Sequence, residues 1–241
     1  VTIFTLSLSS SAIPDYKAKY SFERDDFSVT GIRELKATDE GSYSLKFNAR
    51  TMLVVSLDFE SNFEIENSKL ISKNYRVKIR PKSVDRDQSI IYDYENLKIN
   101  SSGINSWEAK LDQMAFSADP LNAQIQIRLN LINKMNEFYI NLIEIKTGEI
   151  KKNFYTLDGE DTCKLNGKNY NCVLLKRYRE SDDRITTYYL IPELDYLFFR
   201  VVDEKITSLV QNTANDCIDV FVKVPLLHVD GHTKVSQQKM L

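Results

Sequence analysis

Residues that break or bend a backbone are scarce in this chain. Of 241 residues only 7 are Gly and 5 are Pro, which excludes collagen-like repeats and linker-rich architecture. His occurs twice, Cys three times and Trp once, so metal chemistry built on several His or Cys ligands has little material. No charge of one sign prevails: 32 Lys and Arg face 34 Asp and Glu, for a net charge of −2. That balance, with no basic run, gives no electrostatic reason to expect nucleic acid or an anionic membrane surface. No segment approaches the ~20 uninterrupted apolar residues of a transmembrane helix. A Gly-rich phosphate loop, a G-x-S-x-G elbow, H-E-x-x-H and C-x-x-C are all missing, as are internal repeats and low-complexity blocks.

What is plentiful is aromatic residues at alternate positions, with 13 Tyr and 12 Phe. In YKAKYSFE, Tyr16, Ala18, Tyr20 and Phe22 share one face and the charged residues the other, the signature of a half-buried strand. Phe27–Ala37 continues with Gly31 as a bulge, and Tyr43, Leu45 and Phe47 follow a turn at Thr38–Gly41. Leu53–Ile65 keeps one phase and bends near Ser61–Asn62, and Tyr75, Val77 and Ile79 alternate after a turn at Ser68–Lys69. Ile90–Ile99 reads as a further strand with an Asn96 turn nearby, while Trp107–Phe116 is ambiguous. Each strand has one apolar and one polar face, as in a sheet that covers a core on one side.

Period changes after Asp119-Pro120, a helix start with Asp as N-cap and Pro in the first turn. Leu121, Ile125, Leu129 and Ile132, with Ile127, Leu131 and Met135 broadening the stripe, predict one amphipathic or largely buried helix over 120–135, packed on the concave face of the sheet. Strand spacing resumes at Phe138, Ile140 and Leu142. Then come Asn153–Leu157, a turn or bulge at Asp158-Gly159, an Asn166-Gly167 hairpin, and strands at Cys172–Arg179, Ile185–Leu190, Tyr196–Val202 and Ile206–Val210. The expected fold is mainly β: a curved antiparallel sheet with one helix.

Residues 1–12, VTIFTLSLSSSA, look like the tail of a secretory signal: an apolar run, then Ser10 and Ala12 at the −3 and −1 positions of a cleavage site. An ordinary first strand is the alternative. The expected organisation is a signal remnant at 1–12, one β-rich domain at 13–212 and a loose extension at 213–241.

Three stretches resemble the bacterial exported proteins of domain-of-unknown-function family 3108. They are DYKAKYSFERDDFSVTGIRELKA, FSADPLNAQIQIRLNL and KRYRESDDRITTYYLIPELDYLFFRV, with Tyr189 where that family commonly has Trp and Phe199 where it commonly has Pro. The resemblance implies a periplasmic protein and a curved, incompletely closed β-barrel holding a helix, similar to the periplasmic lipoprotein carriers. It supplies no catalytic residues.

Cys163 and Cys172 flank the Asn166-Gly167 turn, and a hairpin centred there brings them near opposite each other, within bridging distance. A disulfide is the expectation in an exported protein, with two buried thiols as the alternative. Cys217 is left without an obvious partner. His228 and His232 are four apart, a metal-ligand spacing that works best on a helix, but Gly231 and the loose extension around them point to a solvated tail. Acidic clusters at Asp158/Glu160/Asp161, Asp182/Asp183 and Glu193/Asp195 coincide with predicted turns, where carboxylates are ordinary. Asn100-Ser101-Ser102 fits a glycosylation acceptor, read here as an unmodified loop. No cofactor is implied. The leading expectation is a non-enzymatic envelope protein that holds a lipid, another apolar ligand or an envelope partner in the concave face of its sheet. The alternatives are an envelope carbohydrate- or lipid-acting hydrolase with a carboxylate pair, and a pure protein-interaction module.

Overall fold

The structure, a computed structural model, describes residues 13–24, 27–39, 41–50, 56–80, 86–112, 116–179 and 182–205. The expectations for 1–12, for Ile206–Val210, for Cys217 and for His228/His232 lie outside these residues.

One sheet runs β1 (Tyr16–Arg24), β2 (Phe27–Asp39), β3 (Ser42–Arg50), β4 (Ser56–Glu66), β5 (Lys69–Arg80), β6 (Arg86–Asp93), β7 (Lys98–Gly103) and β8 (Trp107–Lys110). Each strand pairs antiparallel with the next in chain order, and the sheet curls into a half-barrel. The alternation explains the meander. In β3, Tyr43, Leu45, Phe47 and Ala49 are buried, while Lys46, Asn48 and Arg50 are exposed. The expected bend near Ser61–Asn62 is a bulge: Asn62 pairs with Asn74 but Phe63 with Ser72, so Lys73 is the extra residue. The inward phase of β5 accordingly switches from Leu70 and Ser72 to Tyr75 and Val77.

The turn expected near Asn96 divides Ile90–Ile99 between β6 and β7: the Asp93 carboxylate accepts from the Asn96 backbone N–H (2.9 Å) and side-chain amide (2.8 Å), and Leu97 takes a positive φ of 55°. The Asn100-Ser101-Ser102 triad therefore lies on strand β7 rather than in a loop, with Ser101 buried. Gly31 makes no bulge either. It pairs in continuous register with Tyr20 and Ala49, and a Cβ there would meet the Phe47 ring at 2.4 Å. The glycine is room for that ring. Gly31→Ala is expected to cost about 1–3 kcal/mol by overpacking, read as a lowered urea midpoint.

A second sheet holds β9 (Ser117–Ala118), β10 (Glu137–Ile143), β11 (Ile150–Leu165), β12 (Lys168–Arg179), β13 (Asp182–Ile191) and β14 (Leu197–Lys205), in reverse chain order from β14 to β9. All its pairs are antiparallel except β9 with β10, which are parallel. A parallel pair needs a crossover, and the helix α1 (Ala123–Ile132) supplies it. Of the turn or bulge expected at Asp158-Gly159 the structure has the bulge, as the register passes from Leu157 to Glu160. Asn166 and Gly167 make the expected turn with φ of 50° and 82°.

The helix is shorter than 120–135 and is largely buried, the second of the two readings the sequence allows. Pro120–Asn122 forms a turn, Asn122 is the N-cap residue, and Asp119 instead accepts the Leu121 and Asn122 backbone N–H groups at 2.8 Å each. No glycine ends α1. Lys134 takes φ 60° while its own N–H and that of Met135 return to the carbonyls of Leu131 and Asn130. At 3.6 residues per turn, Leu121/Ile125/Leu129 and Ala123/Ile127/Leu131 lie on nearly opposite sides. The first row packs with the eight-stranded sheet and the second with the six-stranded sheet. A helix between two sheets has no solvent face, which is why its apolar residues circle it. The intervening polar residues bond outward: Gln126 to the Leu70 N–H and the Ser68 carbonyl, Arg128 through Nε to the Asp195 carbonyl.

The two sheets also meet where β1 lies over the β11–β12 hairpin. Ala18 and Tyr20 pack with Cys163, Leu165, Cys172 and Ile191, and the Tyr20 hydroxyl donates to the Phe198 carbonyl at 3.3 Å.

Candidate functional site

A cavity of about 810 Å3 opens between the curled sheet and the start of α1. Its floor is the inward phase of successive strands: Phe47 on β3, Phe59 on β4, and Tyr75, Val77 and Ile79 on β5. The Phe47 and Phe59 rings stack at 5.9 Å between centroids. Pro120, Leu121 and Ile145 face them. At the far end Gln88 and Ile145 line the cavity and are tied by a clamp: Trp107 Nε1 donates to the Ile145 carbonyl at 2.8 Å, and Gln88 Nε2 donates to the same oxygen. Gly148 allows this, since a Cβ there would meet the Trp107 ring at 2.5 Å.

The near end carries a charge. Arg33 on β2 shares the inward phase of Val29 and Leu35, is 9% exposed and lines the cavity. Its guanidinium lies over the Tyr20 ring at 4.6 Å and the Phe47 ring at 5.8 Å. One Nη donates to the Gln124 side-chain carbonyl, while Nε has no acceptor. Burial pushes the Tyr20 phenol up to about 12, the nearby Arg33 pulling partly back. Tyr20 thus stays neutral at ordinary pH, and offers Arg33 a ring face and a hydroxyl but no countercharge.

Behind the cavity wall sits a polar hub. Asp119 is wholly buried, and burial raises its carboxyl from 3.8 to about 7, against hydrogen bonds that pull it down. Ser61 Oγ donates to it at 2.6 Å, and Asn122 Nδ2 donates to Ser72 Oγ at 3.0 Å. Ser72 in turn donates to the Ser117 carbonyl at 2.9 Å. The hub fixes the short β9 and the root of α1 to β4 and β5.

A second cavity, of about 820 Å3, lies beside the first along β10 to β12, and Arg177 and Arg179 line it. Their guanidinium groups are held by Thr186 Oγ1 at 2.9 Å each, and Arg179 pairs with Asp203 at 3.1 Å. On the outer face of this sheet Tyr139, Phe154 and Tyr178 form a ladder with centroids 5.0 and 6.2 Å apart, with Tyr139 57% exposed.

Of the residues singled out in the sequence, Cys163 and Cys172 are joined in a disulfide with Cα atoms 5.8 Å apart. They are not directly opposite. Cys163 pairs with Tyr170 and Cys172 with Asp161, so the bridge is diagonal, because a two-residue turn at 166–167 puts 165 opposite 168. Asp158, Glu160, Asp161, Glu193 and Asp195 are exposed and gather in no cleft, so those two clusters lack the burial that an acid–base pair needs. The side chains of Asp182 and Asp183 lie outside the described residues. Among the described residues no group of three or more His, Cys, Asp or Glu is placed to hold a metal ion. No helix there is long and apolar enough to cross a membrane. Missed altogether were Arg33, whose signal was a cation in the inward phase of a strand, and the Gln88–Trp107 clamp, whose partners are far apart in sequence.

No family model matches the sequence, and no curated protein does. The fold has a solved counterpart. A β-barrel-like protein of domain of unknown function DUF1849 from Brucella abortus is similar over 80% of this chain and 92% of its own, with a TM-score of 0.53 at 10% identity. The chain has a β-barrel-like fold shared with a protein of unknown function; at that identity the likeness concerns the fold alone.

Proposed function

We propose that this protein is a non-catalytic binder of an apolar ligand, working in the bacterial envelope outside the cytoplasm. The observation that carries the reading is the cavity of about 810 Å3, floored by Phe47, Phe59, Val77 and Ile79 and bounded at one end by Gln88 and Ile145. That volume and that mixture of an apolar lining with a few polar groups are those of a small-molecule site. Export is supported by the Cys163–Cys172 bridge, since structural disulfides persist in oxidising compartments. It is supported also by residues 1–12 and by the resemblance to family 3108, whose members look periplasmic.

Native mass spectrometry of protein purified from its own envelope, with solvent extraction, tests the reading. The expected result is an apolar molecule bound at one per chain. Ile79→Trp, which fills the cavity from a half-buried position, should lower affinity for an uncharged fluorescent apolar probe at least about tenfold at an unchanged unfolding temperature. Protein that carries no such molecule and binds no such probe would sink the proposal. A second reading, a protein-interaction module, is favoured by the exposed Tyr139–Phe154–Tyr178 ladder; it gains if a protein rather than a lipid co-purifies.

A further inference from the structure

Arg33 is in a costly place. It is 9% exposed among aromatic rings, its Nε donor has no acceptor, and among the described residues no carboxylate lies within 4.0 Å of it. A guanidinium has five N–H donors and cannot shed its charge. Taking it out of water without an acid partner is unfavourable, and a protein that only needed to fill this position would use an apolar side chain. The other charged residues lining the cavity, Glu144 and Lys146, are opposite in sign and lie on the segment after β10. Among the described residues Arg33 is therefore the one buried ionic group of the lining.

We propose that the ligand is an amphiphile with a single anionic head and one long apolar tail, a long-chain carboxylate, with its head on Arg33. This rests on the apolar-ligand reading and names the class of ligand. Arg33 lies on β2 and Gln88 on β6, at opposite ends of the apolar floor. Four strand spacings of about 4.8 Å separate them, roughly 19 Å along the sheet. A tail laid across the strands from Arg33 passes Phe47, Phe59 and Val77 in turn and ends at the Gln88–Trp107 clamp. Gln124 holds one Nη and so fixes the plane of the guanidinium, and the donors that neither Gln124 nor the Tyr20 hydroxyl holds are left for a carboxylate.

The test is displacement of an uncharged fluorescent apolar probe from the full chain by hexadecanoate, hexadecanol and hexadecyl phosphate. The parent, Arg33→Met and Arg33→Lys are compared. The parent should bind the acid at least about tenfold more tightly than the alcohol. Arg33→Met should weaken the acid about 10–100-fold, to the level of the alcohol, and leave the alcohol unchanged, as expected for loss of a charged hydrogen bond. Arg33→Lys should recover part of the loss, and it carries the comparison if the Met variant does not fold. Equal binding of acid and alcohol by the parent, or an equal loss of both in Arg33→Met, overturns the anionic head while leaving the cavity reading intact. Tighter binding of the phosphate than of the acid overturns the carboxylate and makes the head a phosphate monoester. Failure of all three to displace the probe overturns the inference together with the lipid form of the reading beneath it.

Discussion

Asp119→Asn should make the protein more stable at pH 8 and remove most of a stability loss that the parent suffers between pH 4 and 7. The carboxyl is wholly buried and titrates near 7 in the folded chain, against 3.8 ordinarily, because burial disfavours its charged form. Between those values the unfolded chain has released the proton and the folded chain has kept it. Stability therefore falls as pH rises through that window, since the native state binds more protons there. The full contribution is present below about pH 4 and gone above about pH 7. At about 1.4 kcal/mol per unit, discounted for relaxation of the site, the loss is roughly 2–4 kcal/mol. Asparagine keeps the shape and carries no charge. Its oxygen can accept from the Leu121 and Asn122 N–H groups as Asp119 Oδ1 does, and its NH2 can donate to Ser61 Oγ. Urea unfolding of parent and variant at pH 4.5, 6, 7 and 8 reads the difference directly, because the exposed carboxylates contribute equally to both and cancel. A difference that stays constant with pH would show that Asp119 does not titrate in this window. Asp119→Ala is the contrasting case. It leaves Ser61 and two N–H groups buried without an acceptor, at about 1–3 kcal/mol each, and should destabilise at every pH.

The burial of Asp119 shows what a sequence pattern conceals. Asp-Pro before an apolar run reads as an exposed cap, and the residue does accept two backbone N–H groups at the root of α1. Its burial, however, comes from β4 and β5, some sixty residues upstream. The helix itself was legible in place, and its burial was one of the two readings the sequence allows. Leu121, Ile125 and Leu129 mark one face, and the second row of Ala123, Ile127 and Leu131 looks like a broadened stripe until a second sheet is known to lie against it. The strands were the most legible feature, because period-two alternation is local: Tyr43/Leu45/Phe47 and Phe138/Ile140 point inward as their phase requires. Reading failed at Gly31, which is room for the Phe47 ring of the neighbouring strand and not a bulge. The cavity could be anticipated only as a concave face. Its walls come from β2 to β6, α1 and the segment at 144–146, and no spacing in the chain records that they converge. Arg33 was open to reading, since a cation in phase with Val29 and Leu35 contradicts the buried face it sits on, and such contradictions are where functional groups are found.

Removal of the Cys163–Cys172 bridge is expected to cost about 3 kcal/mol and to lower the urea midpoint by about 1 M for a chain of this size. The bridge closes a short loop, with a sequence separation of 9, so most of its effect lies in restricting the unfolded chain. Cys163→Ala/Cys172→Ala measures that cost together with the loss of two buried side chains; reduction of the parent measures the cross-link alone. Equal midpoints for oxidised and reduced protein would show that the bridge adds nothing to a hairpin already set by Asn166-Gly167. The effect should also be local. The cysteines pack with Ala18 and Tyr20 of β1, and this contact joins the eight-stranded sheet to the six-stranded one. Amide exchange should therefore rise in β1 and at the tip of the β11–β12 hairpin before it rises in β3 to β5. Tyr20 belongs to this junction and is also the ring that Arg33 lies against. Loosening the hairpin loosens one wall of the cavity's charged end. The reduced protein is thus expected to hold an anionic amphiphile more weakly than the oxidised protein, while an uncharged probe bound over Phe59 and Val77 should scarcely register the change.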